Sequence, residues 1–332
     1  MLDNKHEDTQ NRILQNSAES VLQEIHYKSY DQWIKNFALN LPNIWKESSA
    51  SYIKQMSSNA KKNSSAIVIG RGPSIKKHNH LELLANSDYT GSILCCDGAL
   101  INTLKSGVTP DKFPKFYVVS IEPYERITKF YDDPIVDKYG DKISAIFPTI
   151  AASSTVERAR FAGMKIFWLH LLFDYNEGKK SFNHISSLMV RSKQHSNGLP
   201  GIQTGANVGT SCWFIAWKVM NIANVGLIGI NHGWEEDDSW EKILCHGNFD
   251  LLKNIDQNDP SLKQLFKKIH NPEFNCNCIL DPVFQFYSSA LKEFISRSPE
   301  WVNTINATEG GSIFGDRIVC TKFHEFLQKY HS

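Results

Sequence analysis

Short runs dominated by apolar residues, at 66–70, 92–96, 116–121, 143–147, 165–170 and 225–230, alternate along this chain with stretches of helical periodicity. A strand that is apolar at nearly every position has to be covered on both faces. That happens in parallel sheets whose crossover helices pack on either side. The alternation therefore predicts an α/β fold built on a doubly wound, mainly parallel, Rossmann-like sheet. Helices are expected at 98–105, at a segment opened by Ser154, at 205–222 and at 283–297. Glu157, three positions after Ser154, completes a capping-box pattern.

Upstream of these elements the chain changes character. Ile13, Leu14, Val21, Leu22 and Ile25 recur at three-to-four spacing in a polar background, and Trp33, Phe37, Leu41, Ile44 and Trp45 continue the pattern after a break near Tyr30 and Asp31. A polar stretch at 57–65 reads as a linker. The chain thus divides into a helical extension, 1–62, and a larger body, 63–332. A formal net charge of +1 supplies no basic field for nucleic acid. Seven cysteines at irregular positions do not form a disulfide framework, and Cys276-Asn277-Cys278 lacks the second pair of a zinc ribbon. No apolar stretch reaches membrane-spanning length, and the polar amino terminus has no basic-then-apolar leader. The chain reads as a cytoplasmic protein.

The first apolar run ends in Gly70-Arg71-Gly72-Pro73-Ser74. A buried strand running into a glycine-rich turn, with Ser74 able to cap the next helix, aims backbone donors outward at the carboxyl edge of a parallel sheet, where anions bind. The turn is not a dinucleotide fingerprint, because Ile75 stands where a third glycine is required. Nor is it a P-loop: Gly178-Lys179-Lys180-Ser181 has the wrong spacing, and Pro73 removes one N–H. A plain strand-to-helix turn fits the same residues.

Further polar groups follow at other strand ends. Cys96-Asp97-Gly98-Ala99-Leu100 places a carboxylate where it can meet a ribose, a base or a metal-bound phosphate, or simply cap a helix. Ser120-Ile121-Glu122-Pro123 delivers a second carboxylate. Thr204-Gly205-Ala206-Asn207-Val208-Gly209 opens an apolar helix that Thr204 can cap, with small residues that let a ligand approach or that simply pack on the sheet. Gly229-Ile230-Asn231-His232 ends another strand, and His246 lies downstream. Both histidines are of a type that can carry protons near neutrality.

In order, Gly-Arg-Gly-Pro-Ser, Cys-Asp-Gly-Ala-Leu, Gly-Val-Thr-Pro-Asp, Ser-Ile-Glu-Pro, Thr-Gly-Ala-Asn-Val-Gly, Gly-Ile-Asn and the late Ile305-Asn306-Ala307-Thr308-Glu309-Gly310-Gly311 resemble one superfamily across residues 65–315. It holds the Maf-type flagellin glycosyltransferases and the archaeal 6-hydroxymethylpterin diphosphokinase-like proteins. The last segment and Phe284-Gln285-Phe286-Tyr287 are similar to the glycosyltransferase side. The His-Ala-His-Gly-Asp-Asn segment of the pterin enzymes does not occur, and Ser-Ile-Glu-Pro replaces their Asp-Leu-Asp-Gly. Bacterial sialyltransferases are also similar, with a Gly-x-Gly-Pro-Ser loop and a histidine downstream of Gly-Ile-Asp; here Asn231 replaces that Asp.

The resemblance implies that the 63–332 body is a nucleotide-binding transferase. It would move a nonulosonic, acidic sugar from a CMP-sugar to a hydroxyl acceptor on a glycan or protein. The alternatives are diphosphate transfer from ATP to a pterin with magnesium, and a non-catalytic nucleotide-binding protein. Nucleotide binding would fall to Gly70, Gly72, Pro73 and Ser74, to Asp97, Gly98 and Ala99, to Thr204, Gly205, Ala206 and Asn207, and to Asn231. His246 would be the general base and Glu122 the second catalytic group. Thr308 and Glu309 would line the acceptor side. Asp97 and Glu122 would hold a metal if one is used.

Overall fold

The computed structural model describes residues 29–53, 64–172, 178–246 and 260–330. The expected helical reading of 1–28 and the linker reading of 57–63 lie outside them. The strands are β1 (Ser48–Ser49), β2 (Ser65–Ile69), β3 (Ser92–Cys96), β4 (Phe116–Val119), β5 (Ser144–Pro148), β6 (Lys165–Leu171), β7 (Gly201–Ile202) and β8 (Asn224–Ile228). After them come β9 (Trp234–Glu235), β10 (Lys267–Asn271), β11 (Cys276–Leu280), β12 (Asn303–Asn306) and β13 (Ile318–Cys320).

One sheet runs in the order β1-β6-β5-β4-β3-β2-β8-β12-β13, with β7 beside β6. Its neighbouring strands pair in parallel. Every residue of β2, β3 and β8 is buried, which is why the sequence spells these central strands as nearly unbroken apolar runs. The fold is the expected α/β, Rossmann-like one, with helices on both faces. From β2 the chain steps outward through β3, β4, β5 and β6, then crosses back to lay β8 on the other side of β2. The direction of winding reverses between β2 and β8.

Helix 29–44 belongs to this core: Trp33, Phe37, Leu41 and Ile44 are buried in the same apolar cluster as the sheet. Two amides fix it. Asn36 Nδ2 donates to Pro123 O (2.8 Å) and Ile150 O (2.9 Å), and Asn40 Nδ2 donates to Thr149 O (3.1 Å) and Ala151 O (2.8 Å). The loops after β4 and β5 are thereby tied to the helix. Among the described residues no helix is long and apolar enough to cross a membrane.

Several local expectations are corrected. The Ser154–Glu157 capping box does not form, because the helix Ser153–Phe161 begins one residue earlier, after Ala152, with no side-chain cap. Thr204 does not cap the next helix. That helix, Val208–Phe214, continues through Ile215–Val219, and its cap is Asn207, whose side chain accepts from Thr210 N–H (3.1 Å). Thr204 instead accepts from Ala206 N–H (3.0 Å) within the preceding turn.

A small antiparallel sheet, β10-β11-β9, stands beside the main one. Its strand β9 follows directly from the loop after β8, and its strand β11 runs into Asp281 and the helix Pro282–Arg297. The pairing of Trp234 with Ile279 and of Glu235 with Cys278 therefore locks the exit of β8 to the start of that helix.

Candidate functional site

The carboxyl ends of β2, β3, β4 and β8 open into one cavity of about 730 Å³, a size typical of small-ligand sites. It lies at the reversal between β2 and β8, where open α/β sheets bind their ligands. The β2 loop contributes Gly70 to Pro73, the β3 end Asp97 and Gly98, the β4 end Glu122, and the β8 end Asn231 and His232. Ala206 and Asn207 line it from the start of the Val208 helix. Trp234, His246, Phe284 and Tyr287 form an aromatic wall.

The glycine turn does not act as the sequence implies. Gly70 N–H donates to Ile228 O (2.9 Å) and Gly72 N–H to Gly229 O (2.9 Å), so both donors are taken by β8. The glycines serve close approach instead: a Cβ at Gly70 would lie 2.3 Å from Gly229 O, and one at Gly72 would lie 2.1 Å from Asn231 Oδ1. Ser74 caps nothing. It sits within the helix Ser74–Lys77, which has no side-chain cap, and its buried hydroxyl donates to Asn231 Oδ1 (2.9 Å). Asn231 thus clamps the two loops together, a role an acceptor oxygen can fill whether the residue is Asn or Asp.

Asp97 heads a 3₁₀ turn rather than capping the α-helix. Its Oδ1 accepts from Gly98 N–H (2.6 Å) and its Oδ2 from the Ser120 hydroxyl (2.7 Å). Burial pushes its pKa up to about 6 against these two stabilising bonds, with Glu122 adding to the rise. Glu122 is more open and pairs with Arg126 (3.0 Å). Asp97 and Glu122 are the carboxylates that would hold magnesium, and such a pair fits that ion where substrate phosphates complete its shell. Asp97 is hydrogen-bonded by Gly98 N–H and Ser120, and Glu122 is paired with Arg126, while among the described residues no group of three or more His, Cys, Asp or Glu is placed to hold a metal ion by side chains alone.

On the opposite wall His246 Nδ1 lies 2.7 Å from Asp281 Oδ2. Asp281 is fully buried, and its carboxylate also accepts from Trp234 Nε1 (2.8 Å) and from Phe284 N–H (2.7 Å), the latter capping the Pro282 helix. A carboxylate that only accepts fixes the proton of His246 on Nδ1 and leaves the lone pair on Nε2. The imidazole stacks on Phe284, with ring centroids 4.4 Å apart. This is the arrangement of an oriented general base.

His232 is the other histidine of the cavity. Its φ of 41° is in the left-handed region. The turn at 310–312 holds it there: Ser312 Oγ donates to His232 O (2.7 Å) and Ser312 N–H to Asn231 O (2.8 Å). A Cβ at Gly311 would lie 2.2 Å from Asn231 O. Neither ring nitrogen of His232 has a hydrogen-bond partner among the described residues, and burial, with His246 and Lys292 nearby, pushes its pKa down to about 3.

Other expected site residues are not brought to the cavity. Ser74 and Ala99 are buried behind it. Thr204 and Gly205 stand off its lining, Gly205 against Ala290 and Phe294. Thr308 is fully buried, and its hydroxyl donates to Leu227 O (3.3 Å). Glu309 turns away to His80 (3.3 Å) and Phe323 N–H (3.1 Å). Sequence reasoning missed Asp281, although Asp281-Pro282 at the start of an expected helix was a readable cap. It also passed over Arg71, a lone cation between two glycines, and Lys129, which carries no motif.

The family described as 6-hydroxymethylpterin diphosphokinase MptE-like matches residues 35–237. The chain belongs to that family. The MptE-like match takes in the loops after β2, β3, β4 and β8; His246, Asp281 and the aromatic helix lie beyond it. A solved structure, that of the MAf glycosyltransferase from Magnetospirillum magneticum AMB-1, is similar in fold, with a TM-score of 0.54 at 18% identity over 85% of this chain. The likeness spans only 38% of that protein's length. No curated protein matches this MptE-like chain in sequence.

Proposed function

We propose that the protein is a nucleotide-dependent transferase that moves an acidic sugar from a CMP-activated donor to a hydroxyl acceptor. One observation carries this reading: an oriented histidine base, His246 held by Asp281, faces the same cavity as the strand-end loops at the sheet's reversal. The nucleotide rests against the β2 loop, Gly98 and Asn207. The acceptor approaches the aromatic wall. His246 Nε2 takes the acceptor's hydroxyl proton as that oxygen bonds to the anomeric carbon. The bond from this carbon to the phosphate oxygen breaks, and CMP leaves with the electron pair. A positioned base of this kind contributes about a hundred- to ten-thousand-fold.

The family description supports a second reading, diphosphate transfer from ATP to a hydroxymethylpterin. Titration with CMP, CTP, ATP and AMP, with and without magnesium, separates the two. The sugar route requires CMP to bind without metal and CMP to be released on turnover; AMP release with magnesium and the pterin establishes the other. His246→Ala is expected to slow CMP release by about a hundredfold or more while CMP still binds. Undiminished turnover removes His246 from the mechanism.

A further inference from the structure

Arg71 and Lys129 are the arginine and lysine side chains of the cavity that form no ion pair among the described residues. Arg126 pairs with Glu122 and Lys242 with Asp238. The neighbouring carboxyl groups are committed elsewhere, Asp97 to Ser120 and Gly98, Glu122 to Arg126.

The two cations converge on a single ring. The Arg71 guanidinium carbon is 5.7 Å from the centroid of Phe130, and Lys129 Nζ is 5.3 Å from it. Arg71 is also shaped from beneath, since a Cβ at Gly98 would lie 3.0 Å from its Cδ. The missing side chain at 98 gives the arginine stem its path across the end of β3. Asp97 attracts Arg71 without forming an ion pair with it, and two like charges gathered at one ring repel each other, a repulsion that a ligand bringing negative charge relieves. The glycine turn cannot supply that recognition, because its Gly70 and Gly72 N–H groups are bonded to β8.

From this geometry we infer that Arg71 and Lys129 form a two-anion clamp that selects the donor, Arg71 taking the phosphate and Lys129 a second negative group beside it. The inference rests on the transferase reading and deepens it. A CMP-activated acidic sugar carries its phosphodiester and its carboxylate close together, so the clamp reads both. A nucleoside diphosphate sugar offers two anions as well, but both lie on phosphorus. The carboxylate is the source favoured here, because the proposed donor already supplies it next to the bond that breaks.

The test is calorimetric titration of the full chain with CMP, a CMP-activated acidic sugar and a UDP-hexose. The proteins compared are wild type, Arg71→Gln, Arg71→Lys, Lys129→Gln and Lys129→Arg. Arg71→Gln is expected to weaken CMP and the CMP-sugar alike, by about ten- to a hundredfold, the worth of a charge-assisted contact. Lys129→Gln is expected to weaken the CMP-sugar about tenfold more than it weakens CMP. Lys129→Arg keeps the charge and should recover most of the difference. Thermal unfolding of each variant guards against a folding defect, and both side chains are exposed enough to be replaced.

If Lys129→Gln lowers affinity for CMP and the CMP-sugar equally, or for neither, the clamp is overturned. If the UDP-hexose binds as tightly as the CMP-sugar and suffers the same loss, the second anion is a phosphate and the carboxylate assignment falls. Wild-type protein that turns over the CMP-sugar while every variant behaves like it sinks the clamp alone. Wild-type protein that binds no cytidine nucleotide sinks the transferase reading and the clamp together.

Discussion

Gly72 shows how a single missing side chain sets the distance between two strand-end loops. Its N–H donates to Gly229 O (2.9 Å), and a Cβ would sit 2.7 Å from that same oxygen and 2.1 Å from Asn231 Oδ1. Backbone and amide cannot yield to it without breaking the Ser74–Asn231 bond that ties the β2 and β8 loops. Gly72→Ala is therefore expected to destabilise the protein by about 1–3 kcal/mol, as overpacking does, and to weaken CMP binding through the widened floor. Gly98 is the contrast, because its Cβ would meet only the flexible Arg71 stem at 3.0 Å. Gly98→Ala should keep the melting temperature and shift only the arginine. Thermal unfolding of the two alanine variants in parallel decides the matter; equal melting temperatures would mean that the close approach at Gly72 carries no weight.

At the scale of elements, the junction of β11 with the helix Pro282–Arg297 does two jobs through one carboxylate. Asp281 caps the helix through Oδ1 and holds Trp234 and His246 through Oδ2. In Asp281→Asn the amide oxygen can still cap Phe284 N–H, but an NH₂ group then faces His246 Nδ1. That reverses the imidazole's tautomer and puts a proton on Nε2, where the lone pair is needed. Turnover is expected to fall by about a hundred- to ten-thousand-fold with CMP affinity retained; a variant of normal kcat would reduce Asp281 to a helix cap. The helix itself was legible, expected at 283–297 and found at Pro282–Arg297. The pairing with His246 was not, because it spans 35 residues of sequence and depends on the small sheet that docks β9 against β11. The same limit hid β12. Asn303-Thr304-Ile305-Asn306 carries no apolar run, yet it runs beside β8 because tertiary partners satisfy it: Trp213 Nε1 donates to Thr304 Oγ1 (2.9 Å), and Asn306 Nδ2 donates to Ile313 O (2.6 Å). Strands whose burial is written in apolar residues, β2, β3 and β8 above all, were visible for the opposite reason.

Across the whole molecule the sequence announced strand ends bearing polar groups but not which ends adjoin. That depends on the order β3-β2-β8 and the reversal at β2, which no local pattern encodes. The fold also buries several imidazoles, and this couples its stability to pH. Burial pushes His170 down to about 4 and His232 to about 3, and it brings His80 to about 4 even though Glu309 opposes the shift. In the unfolded chain these side chains protonate near 6.5. As pH falls from 6.5 toward 4 the unfolded chain gains protons that the native protein does not accept, so stability is lost, by up to about 1.4 kcal/mol per pH unit for each histidine. Asp97 works in the other direction. Its carboxyl is raised from 3.8 to about 6, so the native state takes up that proton first and the cost of burying the charge is relieved between pH 6 and 4. One such carboxyl offsets one histidine, and the remaining imidazoles decide the sign. The melting temperature is therefore expected to be level from pH 8 to 7 and to fall between pH 6.5 and 4. His232→Asn, which cannot be protonated and tolerates a positive φ, should flatten that fall by about one proton's worth of slope. A melting temperature that rises on acidification, or a His232→Asn profile parallel to wild type, would show that these imidazoles are not held neutral by the fold.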